Sequence, residues 1–265
     1  MNSKKRFSIA AVILVLCVLF SCCSSDLSKT TEESDNDGEK RTFFTSFESA
    51  DEFSNYYIVS QNYKNTTHDL STEIVYDGTY SHKAWIIDSY IESTSLENNN
   101  HRAYPTIQLY KDSQGAFVSP CLITFYVWVD MILTEHSPEN QWLSFATITG
   151  DSSDNWYPVV CVNLSCDGFV HLMHIPTQGE KDYIFQTTDV RFPMREWVEL
   201  KIYYDNREDG YVKVWQNGEL VSYGSLDNGN GLLSQAHFGL YAAPSIGSGI
   251  VYNDCLTIKE VSGEE

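Results

Sequence analysis

Apolar and polar residues alternate along much of this chain with the period of a β-strand. Val198, Leu200, Ile202 and Tyr204 interleave with Trp197, Glu199, Lys201 and Tyr203, which predicts a strand buried on one face. Tyr211 to Gln216 repeats the alternation, and Asn217-Gly218 after it supplies two residues suited to positive φ in a tight hairpin. Leu122 to Leu133 places Ile123, Phe125, Val127, Val129 and Met131 on one face, with Thr124, Tyr126, Trp128 and Asp130 on the other. Further strands are predicted at Arg102 to Leu109, Phe169 to Ile175, His237 to Tyr241 and Val251 to Ile258. No long segment has the 3.6-residue period of a major helix, and no internal repeat is present. The pattern predicts an all-β protein.

The N-terminus is different in kind. Lys4, Lys5 and Arg6 precede an apolar run from Phe7 to Phe20, then Ser21-Cys22, the order of an export signal. The run is shorter than the ~20 apolar residues of a membrane span. Leu19-Phe20-Ser21-Cys22 resembles the bacterial lipoprotein signal, which implies cleavage after residue 21 and lipidation of Cys22. Residues 22–41 are rich in Ser, Thr, Asp and Glu and bury no core, so they read as a disordered acidic tether. Residues 42–262 then form one domain, exported and held at a membrane, at the cell surface.

Loss of the signal removes Lys4, Lys5 and Arg6 and takes the net charge from −19 to −22. Such a surface repels nucleic acid at long range, and no nucleic-acid partner is expected. Seven cysteines are present, and those outside the signal region are Cys121, Cys161, Cys166 and Cys255. Four thiols allow three pairings in an exported protein, whereas a lone Cys within a strand is equally a small buried hydrophobe. Their spacing does not match a zinc site.

Residues two apart on a strand share a face, so a binding sheet shows aromatic and polar residues at that spacing. Stacked antiparallel, these strands would gather Arg102, Tyr104, Gln108, Tyr126, Trp128, His237 and Tyr241 on one face. Flat rings there would stack on sugars, and Arg, Gln and His would reach hydroxyls or carboxylates. His171 and His174 are three apart and point to opposite faces, so one of them is a plain structural histidine. His68, His82 and His136 stand in loop-like contexts.

Phe47-Glu48, Tyr76-Asp77-Gly78-Thr79-Tyr80-Ser81, Trp197 to Tyr204, Val212 to Gly218, Phe238 to Tyr241 and Tyr252-Asn253-Asp254 carry a wider likeness. On them the domain resembles the concanavalin A-like jelly-roll superfamily, and within it the polysaccharide-lyase (alginate- and heparin-lyase-like) and carbohydrate-binding branches. The fold this implies is a two-sheet antiparallel β-sandwich. The alginate branch writes a late strand as Lys-x-Gly-x-Tyr, and His237-Phe238-Gly239-Leu240-Tyr241 is similar. In a lyase of this kind Tyr241, with His237 or His171, would move protons during β-elimination, and Arg102 or Gln108 would neutralise the uronate. The branch's Gln-x-His strand has no match, because Phe169 stands two before His171 and Leu172 two before His174. Carbohydrate-binding relatives also hold a structural Ca²⁺, for which Glu48, Asp77 and Asp254 resemble the ligand set.

The paired carboxylates of a retaining glycosidase have no counterpart in motif or spacing. The sequence thus reads as a surface lipoprotein that binds polysaccharide through a sheet face. A polysaccharide lyase and a non-carbohydrate adhesion module are the alternatives.

Overall fold

The computed structural model describes residues 40–53, 58–63, 65–87, 100–134, 141–180, 183–185 and 188–264. The signal segment, Cys22 and most of the tether lie outside the described residues, as does His136. Strands run in chain order as β1 (Thr42–Thr45), β2 (Ile58–Tyr63), β3 (Thr66–Ser71), β4 (Ser81–Ile86), β5 (His101–Ile107) and β6 (Phe117–Val118). Then come β7 (Cys121–Met131), β8 (Trp142–Thr149), β9 (Val159–Ser165), β10 (Val170–Ile175), β11 (Tyr183–Phe185) and β12 (Val198–Tyr204). The last five are β13 (Tyr211–Gln216), β14 (Glu219–Ser225), β15 (Leu232–Leu233), β16 (Gln235–Ala242) and β17 (Gly249–Glu260). Helix among the described residues is confined to two short 3₁₀ turns.

Two sheets hold almost all of these strands. One has the order β14-β13-β12-β7-β17-β4-β3, with β1 added against β17, and the other runs β11-β10-β9-β8-β16-β5-β2. Every pairing is antiparallel. This is a jelly-roll β-sandwich, as the alternation and the resemblance implied. The seven strands expected from the sequence are all present, within two residues at their ends, and Asn217 and Gly218 take the expected positive φ.

The core is the sum of the inward-facing alternate positions. β7 alternates buried and half-buried without a break, sending Ile123, Phe125, Val127 and Val129 inward at full burial. β16 answers from the facing sheet, with Phe238 edge-on to Phe125 at 5.2 Å between ring centroids. Each such side chain contributes about 1.5–3 kcal/mol by leaving water. Cys121, Cys161, Cys166 and Cys255 are all free thiols, so none of the three pairings forms.

The interior also holds polar groups. His68 and His82 are not loop residues: they stand on neighbouring strands β3 and β4, and His82 Nε2 lies 2.9 Å from His68 Nδ1. His82 is 2% exposed, and its Nδ1 has no partner. Opposite it in register on β17 is Asn253, buried with both side-chain atoms unpaired. Burial holds His68 down at about 4, and burial plus the neighbouring His68 pushes His82 well below its ordinary value. His174 is the structural member of its pair: Nδ1 meets Val159 O at 3.1 Å, and Nε2 accepts the Asp227 N–H at 3.0 Å.

Candidate functional site

The outward face of the β16 sheet gathers the chemistry. Register pairs Arg102 (β5) with Tyr241 (β16), Tyr241 with Ser144 (β8), Ser144 with Asn163 (β9), and Asn163 with His171 (β10). Directly paired residues share a face, so five polar side chains form one row across five strands. A second row runs Thr106, His237, Thr147, Cys161 and Met173. A bulge in β8 between Ser144 and Ala146 lets Ser144 and Thr147, three apart, face the same way, with their hydroxyls 3.2 Å apart. Bulges re-aim side chains in this manner.

Between the rows lies an aromatic cluster. Tyr104 stacks on His237 with ring centroids 3.7 Å apart and planes at 7°. Gly239 makes this possible. Its φ is +138°, and a Cβ there would stand 2.9 Å from Ala103 O, 3.0 Å from Tyr104 Cβ and 3.1 Å from His82 Cε1; any side chain would push these strands apart. Tyr241 meets Tyr104 edge-on at 6.1 Å and Trp142 edge-on at 5.0 Å. The Arg102 guanidinium sits 5.4 Å from the Tyr241 ring centroid, and the Asn100 amide donates to its hydroxyl at 3.0 Å.

Trp156 forms the wall. It carries a φ of +62°, an outlier for a bulky residue, and its ring lies 5.4 Å from His237. The loop that holds it is pinned at several points. Asp151 Oδ2 accepts the Trp156 N–H at 2.9 Å, and the Gln235 amide donates to Asp151 O and Ser153 O at 3.0 and 2.8 Å.

Electrostatics set what the cluster can do. Burial and the nearby Arg102 cation push His237 well below its ordinary value, so the ring is neutral at neutral pH. Burial also raises the Tyr241 hydroxyl, Cys161 adds to this, and Arg102 and Asn100 act against it. Tyr104 is raised as well, chiefly by burial. The face therefore offers one cation, neutral donors and flat rings.

Several sequence expectations need correction. Arg102, Tyr104, His237 and Tyr241 do converge. Tyr126 and Trp128 do not join them, because β7 belongs to the other sheet and they stand on its outer face. There Tyr126 stacks on Tyr76 at 3.6 Å, and Trp128 meets Tyr252 edge-on at 5.5 Å. Gln108 is 9% exposed and hands its amide to Gln235 Oε1 at 3.3 Å, so it supports the Trp156 loop rather than a ligand. His171 shares the face but stands three strands from Tyr241. Trp142, Trp156, Asn100, Ser144 and Asn163 were not anticipated. The aromatic pair Trp156-Tyr157 before a proline was the one available signal.

Two residues of the expected calcium set, Glu48 and Asp254, accept backbone N–H groups of one turn. Glu48 Oε1 accepts the N–H groups of Thr79 and Tyr80 at 2.8 and 3.0 Å. Asp254 Oδ2 accepts those of Tyr76 and Asp77 at 2.9 and 3.2 Å, and its Oδ1 accepts Cys255 N–H at 2.8 Å. Among the described residues no group of three or more His, Cys, Asp or Glu side chains is arranged to hold a metal. Glu48 and Asp254 thereby pin the 76–80 turn.

No protein-family model and no curated protein sequence matches the chain. Solved structures do share its fold. An alginate lyase (vAL-1) from Chlorella virus superposes with a TM-score of 0.53 at 15% identity, over 78% of this chain and 94% of that one. An endo-β-1,4-glucuronan lyase from the fungus Trichoderma reesei gives 0.52 at 14% identity, over 77% and 90%. The cellulose-induced protein Cip1 gives 0.51 at 15%, over 81% and 95%. At these identities the likeness is one of fold.

Proposed function

We propose that this protein binds polysaccharide on the Arg102–Tyr241 face and does not cleave it. The observation that carries the reading is the content of the cluster itself. Stacked rings, a pinned Trp wall and one guanidinium are grouped, and the one histidine among them, His237, lies stacked on Tyr104. The groups beside Tyr241 and His237 on β8 are the hydroxyls of Ser144 and Thr147, neither of which is a base at neutral pH. His237 is stacked under Tyr104. A ligand site of this make-up, an apolar floor with few convergent polar groups, suits a sugar chain laid flat. Two of the fold neighbours are an alginate lyase and a glucuronan lyase, which supports a glycan as the partner.

The second reading, a lyase using Tyr241 as proton donor and Arg102 against the uronate, is favoured by the Arg102–Tyr241 contact. One experiment separates the two. Uronic-acid polysaccharides are incubated with the protein while the ultraviolet absorbance of the unsaturated product is followed, and the same glycans are immobilised to measure retention. Retention with a flat trace, lost in Trp156→Ala, is the expected result. A rising trace that Tyr241→Phe abolishes would make the protein a lyase. Anchoring through a lipid on Cys22 would set this face outside the cell membrane.

A further inference from the structure

None of the six tryptophans of the chain enters the core. Trp142 and Trp156 belong to the face described above, and the other four lie half-buried at the outer side of the opposite sheet. Register puts them there. Trp128 pairs with Tyr252, and Tyr252 with Lys83, so these three share a face with Trp85, two residues beyond Lys83. Trp215 pairs with Lys201, which pairs with Thr124 on the same side of β7.

Contacts join these rings into a band. Trp197 meets Tyr76 edge-on at 5.7 Å, and Tyr76, 44% exposed, stacks on Tyr126 at 3.6 Å. Trp128 follows two residues along β7, edge-on to Tyr252 at 5.5 Å. The Lys83 ammonium lies 5.7 Å from the Tyr252 ring centroid and 5.1 Å from that of Trp85. From β12 to β4 is three strand spacings, about 14 Å, so the band is longer than one sugar ring.

The charges among the rings decide what can lie on them. Lys83 pairs with Glu73 at 2.5 Å, and Arg195 with Asp130 at 3.0 Å. Glu199 and Lys201 stand two apart on the same face of β12, one acid and one base. These groups balance, on a chain whose net charge is −19. A polyanion meets no excess of cations here and is repelled by the molecule as a whole. A protein partner is disfavoured for another reason. The centre of a protein–protein contact is depleted in Lys, Glu and Asp, and a second copy docked here would bury the ion pairs at a cost in desolvation. An uncharged glycan meets neither objection: its rings lie against flat side chains while its hydroxyls bond to the carboxylates and ammonium groups between them.

We propose that this outer face, from Trp197 to Trp85, is a second polysaccharide-binding surface whose ligand is an uncharged glycan. It stands independently of the Arg102–Tyr241 face. The two faces look outward from opposite sheets, so where both are occupied one molecule joins two glycan chains.

The test is affinity electrophoresis of the full chain in gels holding hydroxyethylcellulose, galactomannan or mixed-linkage β-glucan, run beside gels holding polyglucuronate. Each measurement is made on the wild type and on Trp156→Ala, in which the Arg102–Tyr241 face no longer contributes. Trp156→Ala is expected to keep retention by at least one uncharged glycan. Adding Trp128→Ala or Trp85→Ala should then raise the apparent Kd about tenfold, the scale of truncating an aromatic anchor. Trp128→Tyr keeps a flat ring and should lose less, and it serves if the Ala variants fail to fold by circular dichroism. Retention of Trp156→Ala that survives both indole deletions would overturn the second surface, as would its absence on every uncharged glycan. Trp156→Ala retained like the wild type in every gel, with retention abolished by the indole deletions, would support the second surface and overturn the first. Self-association that Trp128→Ala abolishes, without glycan retention, would assign the face to a second copy and overturn the proposal.

Discussion

The buried His68–His82 pair makes this domain sensitive to mild acid, by an amount that can be worked out. Both rings are held neutral in the fold, His68 down at about 4 by burial and His82 well below its ordinary value by burial and by His68. An unfolded histidine titrates near 6.5. The unfolded chain therefore binds protons that the folded one refuses, and stability rises with pH across that interval. The contribution is complete above about pH 6.5 and is lost progressively as the pH falls toward the folded values. For His68 alone, a change from pH 8 to pH 5 removes about 2 kcal/mol, and His82 and His237 add in the same direction. At an m-value of about 3 kcal/mol/M this lowers the urea midpoint by about 0.7 M for His68 alone. Glu52 and Asp205 do not confuse the window. Burial would raise their carboxyls, but hydrogen bonds hold both below their usual values, so their stabilisation is lost only below the normal carboxylate range. Urea titrations at pH 8, 6 and 5 on the wild type and on the His68→Leu/His82→Leu double variant make the comparison. The variant should keep the part of the slope due to His237, offset by Asp254, whose carboxyl is raised by burial and takes up its proton earlier in the fold than in the unfolded chain. Equal drops in the two proteins would refute the argument and assign the acid sensitivity elsewhere.

Gly239→Ala places a Cβ against Ala103 O and Tyr104 at a φ of +138°; a loss of at least about 2 kcal/mol is expected. A thermal melt should show it as a drop of about 4–8 °C, together with changed near-ultraviolet circular dichroism from the displaced Tyr104–His237 stack. Gln235→Ala removes both amide bonds to the Trp156 loop and the acceptor of the Gln108 amide, so glycan retention should fall together with a loss of about 1–3 kcal/mol in stability read from the melting temperature. Cys22→Ser should abolish incorporation of labelled fatty acid and move the protein from the detergent phase to the aqueous phase on partitioning; unchanged partitioning would remove the lipid anchor.

How much of this was legible in the sequence differs between fold and site, for a physical reason. A strand advertises itself locally: Ile123, Phe125, Val127 and Val129 must alternate because one face of β7 is buried, and the period is visible in the residues alone. Which sheet a strand joins is decided by pairing partners far away in the chain. Tyr126 and Tyr241 sit on equally convincing aromatic faces, yet β7 pairs with β12 and β17 while β16 pairs with β5 and β8. The sequence carries no local mark of that choice, and the expected single ligand face was split between two sheets as a result. Gln108 misled for a related reason, since its period places it on the correct face but its amide is taken by Gln235.

The histidines follow the same logic. His68 and His82 lie on strands β3 and β4, whose periodicity is weakened by polar residues such as Asp69 and Lys83, so nothing local marked them as buried partners. The bulge in β8 hid Ser144 and Thr147 in turn, because residues three apart break the period of two that identifies a face. What the sequence did carry was the spacing His237-x-Gly239-x-Tyr241. Its glycine is required by the close approach of Ala103 O and Tyr104 Cβ from the neighbouring strand, and Tyr104 stacks on the His237 ring. The motif thus survives as architecture: Gly239 stands where the neighbouring strand comes close, Tyr104 stacks on His237, and the floor that results is flat and aromatic.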